Sequence, residues 1–127
     1  MTEKDLDKVL WIVCNEIGIP HNLNGCRYIK SAVKKCLADK SKLEHVCKGL
    51  YPEIAEENNS TGSRVERGIR HAIEVCWARG NVNLVVKMFG YTVSANKGRP
   101  TNTEFISYMC DFIELFGEDV LNGTYKF

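Results

Sequence analysis

Apolar residues recur along this chain at the three-and-four spacing of helices, and the every-second-residue alternation of strands is nearly absent. Leu6, Val9, Leu10, Val13, Cys14 and Ile17 trace one stripe, which Gly18 closes and Pro20 prevents from continuing. After a turn predicted over residues 22–25, Ile29, Ala32, Val33, Cys36 and Leu37 repeat the stripe, with Arg27, Lys30 and Lys34 on the opposite face. A short helix is expected near 43–50, another through Ile54 and Ala55 with Pro52 in its first turn, and a turn over the polar run 56–62. A long helix then runs from about 63 to 79, ended by Gly80, and a shorter one near 82–89 stops at Gly90. Residues 91–100 read as a loop. Thr101 and Glu104 stand at capping-box spacing before a last helix that buries Phe105, Met109, Cys110 and Ile113. The tail after Gly117 has no clear pattern and is expected to fray. The sum is an all-α fold, a compact bundle of about six helices, in a single domain across residues 1–127.

Composition narrows this picture little. At 127 residues the chain can close one core, and 44% hydrophobic with 26% charged residues is an ordinary globular balance. No apolar run approaches the roughly 18–20 residues of a membrane span, and Lys4, Asp5 and Asp7 spoil a signal-peptide reading, so a cytoplasmic protein is expected. The six cysteines, at 14, 26, 36, 47, 76 and 110, form neither CxxC pairs nor zinc-ligand spacings. Cys14, Cys36, Cys76 and Cys110 fall on apolar stripes, where a reduced thiol acts as a small hydrophobe. No metal and no cofactor is expected. His21, His45 and His71 have no Cys or Asp partner at a recognisable spacing, and no Gly-rich phosphate loop is present, so the chain does not read as an enzyme.

The charge distribution says more than the net +1. Residues 25–42 and 63–100 each carry a net +5, and the segments 1–24, 43–62 and 101–127 are acidic. The second basic segment contains the long helix. Val65, Ile69, Ala72, Ile73 and Cys76 gather within roughly 100° of its circumference, with Trp77 at their edge. Ser63, Arg67, Arg70, His71 and Glu74 project from the other side, flanked by Arg64 and Glu66. Glu66 and Arg70 are spaced for an i,i+4 pair, whereas Arg64 and Arg67 have no acidic partner toward the C-terminus. Unpaired arginines near a helix N-terminus repel one another and the helix dipole unless an anion meets them.

The preceding residues fit a helix-turn-helix. Ala55 is small enough for a second helix to cross, and ten residues later Val65 faces the core. The usual turn glycine is replaced by Asn59, and the next apolar position falls at Ile69 instead of Gly68. In such a unit the second helix enters the major groove, where Arg pairs bidentately with guanine and Glu accepts from the cytosine amine.

The run Leu50-Tyr51-Pro52-Glu53-Ile54-Ala55 and the string Ser63-Arg64-Val65-Glu66-Arg67-Gly68-Ile69-Arg70-His71-Ala72-Ile73-Glu74-Val75 closely resemble one family. It is the C-terminal effector domain of the sporulation master response regulator of endospore-forming bacteria. Glu16-Ile17-Gly18-Ile19-Pro20, Phe89-Gly90-Tyr91-Thr92-Val93-Ser94 and Lys97-Gly98-Arg99-Pro100-Thr101-Asn102 agree, and the likeness covers about residues 5–116. The resemblance implies a six-helix fold that binds double-stranded DNA at an asymmetric TGTCGAA-like core, often as tandem head-to-tail copies. It implies base contacts from Arg64, Glu66 and Arg67, and phosphate contacts from Ser63, Arg70, His71, Lys97 and Arg99. It also implies a surface over 80–90 facing the RNA polymerase sigma subunit, with Asn81, Asn83 and Lys87 as candidates. Two features depart from the family pattern. No strand–helix units of a phosphoacceptor domain are present, which leaves an excised domain or a free-standing relative, with Met1 directly before the first helix favouring the latter. Gly68 replaces a usual alanine, a change that costs a helix interior about 0.5–1 kcal/mol.

Several residues keep two readings at this point. Ser63 and Glu66 are themselves spaced as a capping box, so Glu66 serves either a base or the backbone. His71 is either a phosphate ligand or a side chain that simply packs beside Trp77's turn or faces solvent, and Lys97 and Arg99 are either phosphate ligands or ordinary loop cations. The stripe of Arg27, Lys30 and Lys34 reads better as a solvated face than as a supplementary phosphate contact. At the level of the whole chain, a sequence-specific regulator stands against a protein-interaction module that pairs with a full-length regulator and binds no specific DNA itself.

Overall fold

The computed structural model describes residues 1–90 and 98–127. Among the described residues six α-helices form: α1 Glu3–Ile17, α2 Asn24–Ala38, α3 Tyr51–Glu57, α4 Gly62–Arg79, α5 Val82–Phe89 and α6 Asn102–Asn122. A 3₁₀ turn at Lys40–Glu44 and a π turn at Val46–Leu50 stand where a single short helix is expected near 43–50. No strand occurs among the described residues.

Local chemistry sets the ends of α1 and α6. Thr2 and Asp5 exchange the two hydrogen bonds of a capping box at 3.1 Å each, and Gly18 closes α1 in the left-handed region at φ 89°. The box expected at Thr101 and Glu104 forms too, with the Thr101 amide donating to the Glu104 carboxylate at 3.0 Å. Val9, Leu10, Val13, Cys14 and Ile17 of α1 pack with Ile29, Ala32, Val33 and Cys36 of α2 and with Phe105, Ile106, Met109 and Phe112 of α6 in one continuous core. The thiols of Cys14, Cys36, Cys76 and Cys110 lie in that core, joined by Cys26, and all six cysteines are free. Burial pushes Cys76 and Cys110 up to about 12, so both remain neutral thiols.

Two glycines read as chain punctuation are packing contacts instead. The turn expected over 22–25 is shorter, because Asn24 and Gly25 already belong to α2. Gly25 marks where α2 crosses α4, and a Cβ there would lie 2.0 Å from the carbonyl oxygen of Gly68. Likewise α6 does not end at Gly117. That glycine is buried, and a Cβ on it would come within 3.1 Å of the Met1 side chain. The helix continues to Asn122 and closes on Gly123, again left-handed at φ 77°. The tail does not fray: Tyr125 packs edge-on against Phe112 at 5.1 Å, and the Lys87 ammonium donates to the Lys126 carbonyl at 2.8 Å.

The far end of α1 fixes α4 in turn. The Ile17 carbonyl, an orphan acceptor at a helix terminus, accepts the Asn81 amide at 3.1 Å and the Cys76 thiol at 3.3 Å. The long helix is therefore clamped at Gly25 in its middle and at Ile17 near its C-terminus.

Candidate nucleic-acid interface

α3 and α4 form the expected helix-turn-helix, joined by Asn58, Asn59, Ser60 and Thr61. Asn59, standing where a glycine is usual, adopts φ 50°, and asparagine is among the few residues that tolerate this left-handed conformation. Asn58 closes α3 by donating its side-chain amide to the Ile54 carbonyl at 2.7 Å, and the Ser60 amide reaches the Ala55 carbonyl at 2.9 Å. Thr61 then opens α4, its hydroxyl oxygen accepting the Arg64 amide at 3.2 Å, a cap worth about 1 kcal/mol.

This cap corrects one reading of Glu66. Ser63 lies inside the helix and caps nothing, so the capping box with Glu66 does not form. The Glu66 carboxylate instead accepts from Arg70 at 3.0 Å. Its backbone carbonyl accepts the Asn102 side-chain amide at 3.0 Å, and that amide also donates to the Tyr51 hydroxyl at 3.0 Å. One asparagine at the start of α6 thus ties the first turns of α4 to α3, a link across 36 and 51 residues that no local pattern announces.

The buried residues of α4 are Val65, Ile69, Ala72, Ile73 and Cys76, the five read from the helical wheel. Ser63, Arg64, Arg67, Arg70 and His71 are exposed, and Glu66 and Glu74 half-buried. His71 points outward, not into the packing around Trp77. Arg64 and Arg67 have no carboxylate partner among the described residues. The only hydrogen bond described for the Arg67 guanidinium runs to the Ser63 carbonyl one turn back, at 3.4 Å. Arg70 is placed differently, between Glu66 and Glu74, and Arg99 reaches Glu74 at 3.5 Å from the segment before α6. Lys97 lies outside the described residues.

The other sequence candidates divide. Asn81 caps α5 through its side chain, which accepts the Leu84 amide at 3.1 Å, and Lys87 is occupied with the Lys126 carbonyl; Asn83 is exposed beside them. The basic stripe of α2 is not a uniform solvated face. Lys34 pairs with Asp7 and, less strongly, with Glu3, which hold its ammonium above its ordinary pKa, whereas Arg27 turns to the helix-turn-helix. Its Nε donates to the Asn58 side-chain oxygen Oδ1 at 3.1 Å. Among the described residues, no group of His, Cys, Asp and Glu could hold a metal ion, and no helix is long and apolar enough to cross a membrane.

A family model described as the sporulation initiation factor Spo0A C terminal matches residues 11–113. The chain belongs to that family. The match runs from the second half of α1 to the middle of α6 and so includes the whole helix-turn-helix and its clamps. Members of the family are DNA-binding domains of a sporulation transcription factor, and sequence-specific DNA binding in transcription regulation is the function class of this chain.

Proposed function

We propose that α4 lies in the major groove of a duplex carrying a TGTCGAA-like core, with Arg64, Glu66 and Arg67 at base edges. The observation that carries this reading is the division of α4: five side chains sealed into the core behind, and two arginines in front with no carboxylate partner among the described residues. An arginine held this way can give its paired N–H donors to guanine O6 and N7, and Glu66 can accept from a cytosine amine on the neighbouring pair. Ser63, Arg70, His71, Lys97 and Arg99 are assigned to phosphates, which fix register and orientation but not sequence. Tandem head-to-tail copies on DNA, and a sigma-subunit contact through Asn81, Asn83 and Lys87, belong to the same reading as further proposals.

The test is a titration at stated salt on duplexes that carry the core or a scrambled version of it. The core duplex is expected to bind about 10³-fold more tightly or better. Equal affinities would leave a module that acts through a protein partner.

A further inference from the structure

We propose that Arg27 of α2 is a further member of the DNA interface and grips a phosphodiester on the strand beside the groove that α4 enters; this rests on the DNA-binding reading above. Arg27, Arg64 and Arg67 share the walls of a shallow cleft of about 580 Å³ with Asn24, Asn58 and Ser60, and neither Asp nor Glu lines it. Three guanidinium groups around one carboxylate-free hollow repel one another and attract an anion from outside.

The geometry is built for that purpose by neutral groups. Asn58 spends its amide on the Ile54 carbonyl, which leaves its side-chain oxygen to accept Arg27 Nε at 3.1 Å. Asn24 accepts Arg27 Nη2 at 3.2 Å, and the guanidinium lies 5.5 Å from the centre of the Tyr28 ring. These neutral partners orient the fork; Arg27 also borders a second hollow that holds Glu3, Asp7 and Glu57, but those carboxylates pair with Lys34 and Lys35 and not with Arg27. Lys34, Lys35, Lys40 and Lys42 of the same basic segment are each paired with a carboxylate.

Position selects phosphate over base. The backbone approach of Gly25 to Gly68 sets the first turn of α2 directly against the middle of α4. With α4 in the groove, α2 meets the groove wall, where phosphate oxygens and not base edges are presented. The segment also contributes the positive end of the α2 dipole, since its N-cap Leu23 offers no side-chain acceptor.

The experiment measures affinity of the full chain against salt on core and scrambled duplexes for wild type, Arg27→Gln and Arg27→Lys. Arg27→Gln is expected to lose about tenfold on both duplexes and to flatten the log–log salt slope by about 0.9, one phosphate contact. Arg27→Lys is expected to keep the slope. An unchanged slope in a folded Arg27→Gln protein would overturn the proposal while the preference of wild type for the core stands. Equal losses in the Lys and Gln variants would overturn it as well, making Arg27 a brace for Asn58. If Arg27→Gln does not fold, a scan of single methylphosphonates along the duplex decides: at one position the neutral linkage should weaken wild type more than Arg27→Lys, which lacks the paired donors, and equal losses in the two proteins at every position would refute the contact. Wild type binding neither duplex would remove the underlying reading along with this one.

Discussion

Successive turns of α4 present the same residue type in opposite electrostatic settings. Near its N-terminus, Arg64 and Arg67 face outward beside Arg27, and the cleft between them is free of carboxylates. One turn further on, Arg70 stands between Glu66 and Glu74, and Arg99 joins the chain of charges. Exposed ion pairs of this kind are worth about 0–1 kcal/mol. A phosphate can therefore displace a carboxylate from Arg70 or Arg99 at small cost, but what it gains is reduced by the pair it breaks. In the proposed reading the unpaired Arg64 and Arg67 meet base edges, whereas Arg70 and Arg99, already balanced by carboxylates, make adjustable contacts to the backbone.

The strongest way to break this arrangement is to separate α2 from α4. Gly25→Ala places a methyl 2.0 Å from the Gly68 carbonyl oxygen, and backbone must move to admit it. A stability loss of about 1–3 kcal/mol or more is expected in denaturant unfolding, with DNA binding weakened too; an unshifted midpoint would mean the helices do not cross there. Arg67→Ala should cost about 1–3 kcal/mol on the core duplex and little on a scrambled one. Arg70→Ala should lose less, by the same factor on both duplexes, with a shallower salt slope. If the slope holds, Arg70 touches no phosphate. Smallest of all, Glu74→Gln releases Arg99, leaves Arg70 with Glu66 alone and should raise affinity for any duplex by no more than about fivefold. A loss of affinity instead would show that Glu74 positions the two cations for DNA.

How much of this was legible in the sequence depended on the range of the interaction. The buried stripe of α4 needed only helical period, because five residues at that spacing are confined to one face whatever packs against them. The turn was readable through Asn59, whose residue type suits the φ it adopts. Glycines were readable only where they end helices. Gly25 and Gly117 resemble stop signals, yet each is small because a distant chain segment crosses it, Gly68 in one case and Met1 in the other. Ser63 looked like a cap because Thr61, two residues earlier, could not be ranked against it without the backbone. In the sequence Arg27 reads as part of a solvated face because the residue that orients it, Asn58, lies 31 positions away. The same holds for Gly68. A Cβ there would meet the Tyr28 ring at 3.1 Å, so its glycine admits α2 closely at the expense of helix propensity.

The central claim, that the outward face of the first turns of α4 reads base edges, is tested most directly by measuring binding free energy across every single base-pair substitution of the core. The profile is taken for wild type and for Arg67→Ala. The account predicts that the variant loses discrimination at one or two adjacent G·C pairs and keeps the wild-type profile elsewhere. A profile lowered by the same amount at every position, with each preference intact, would contradict it.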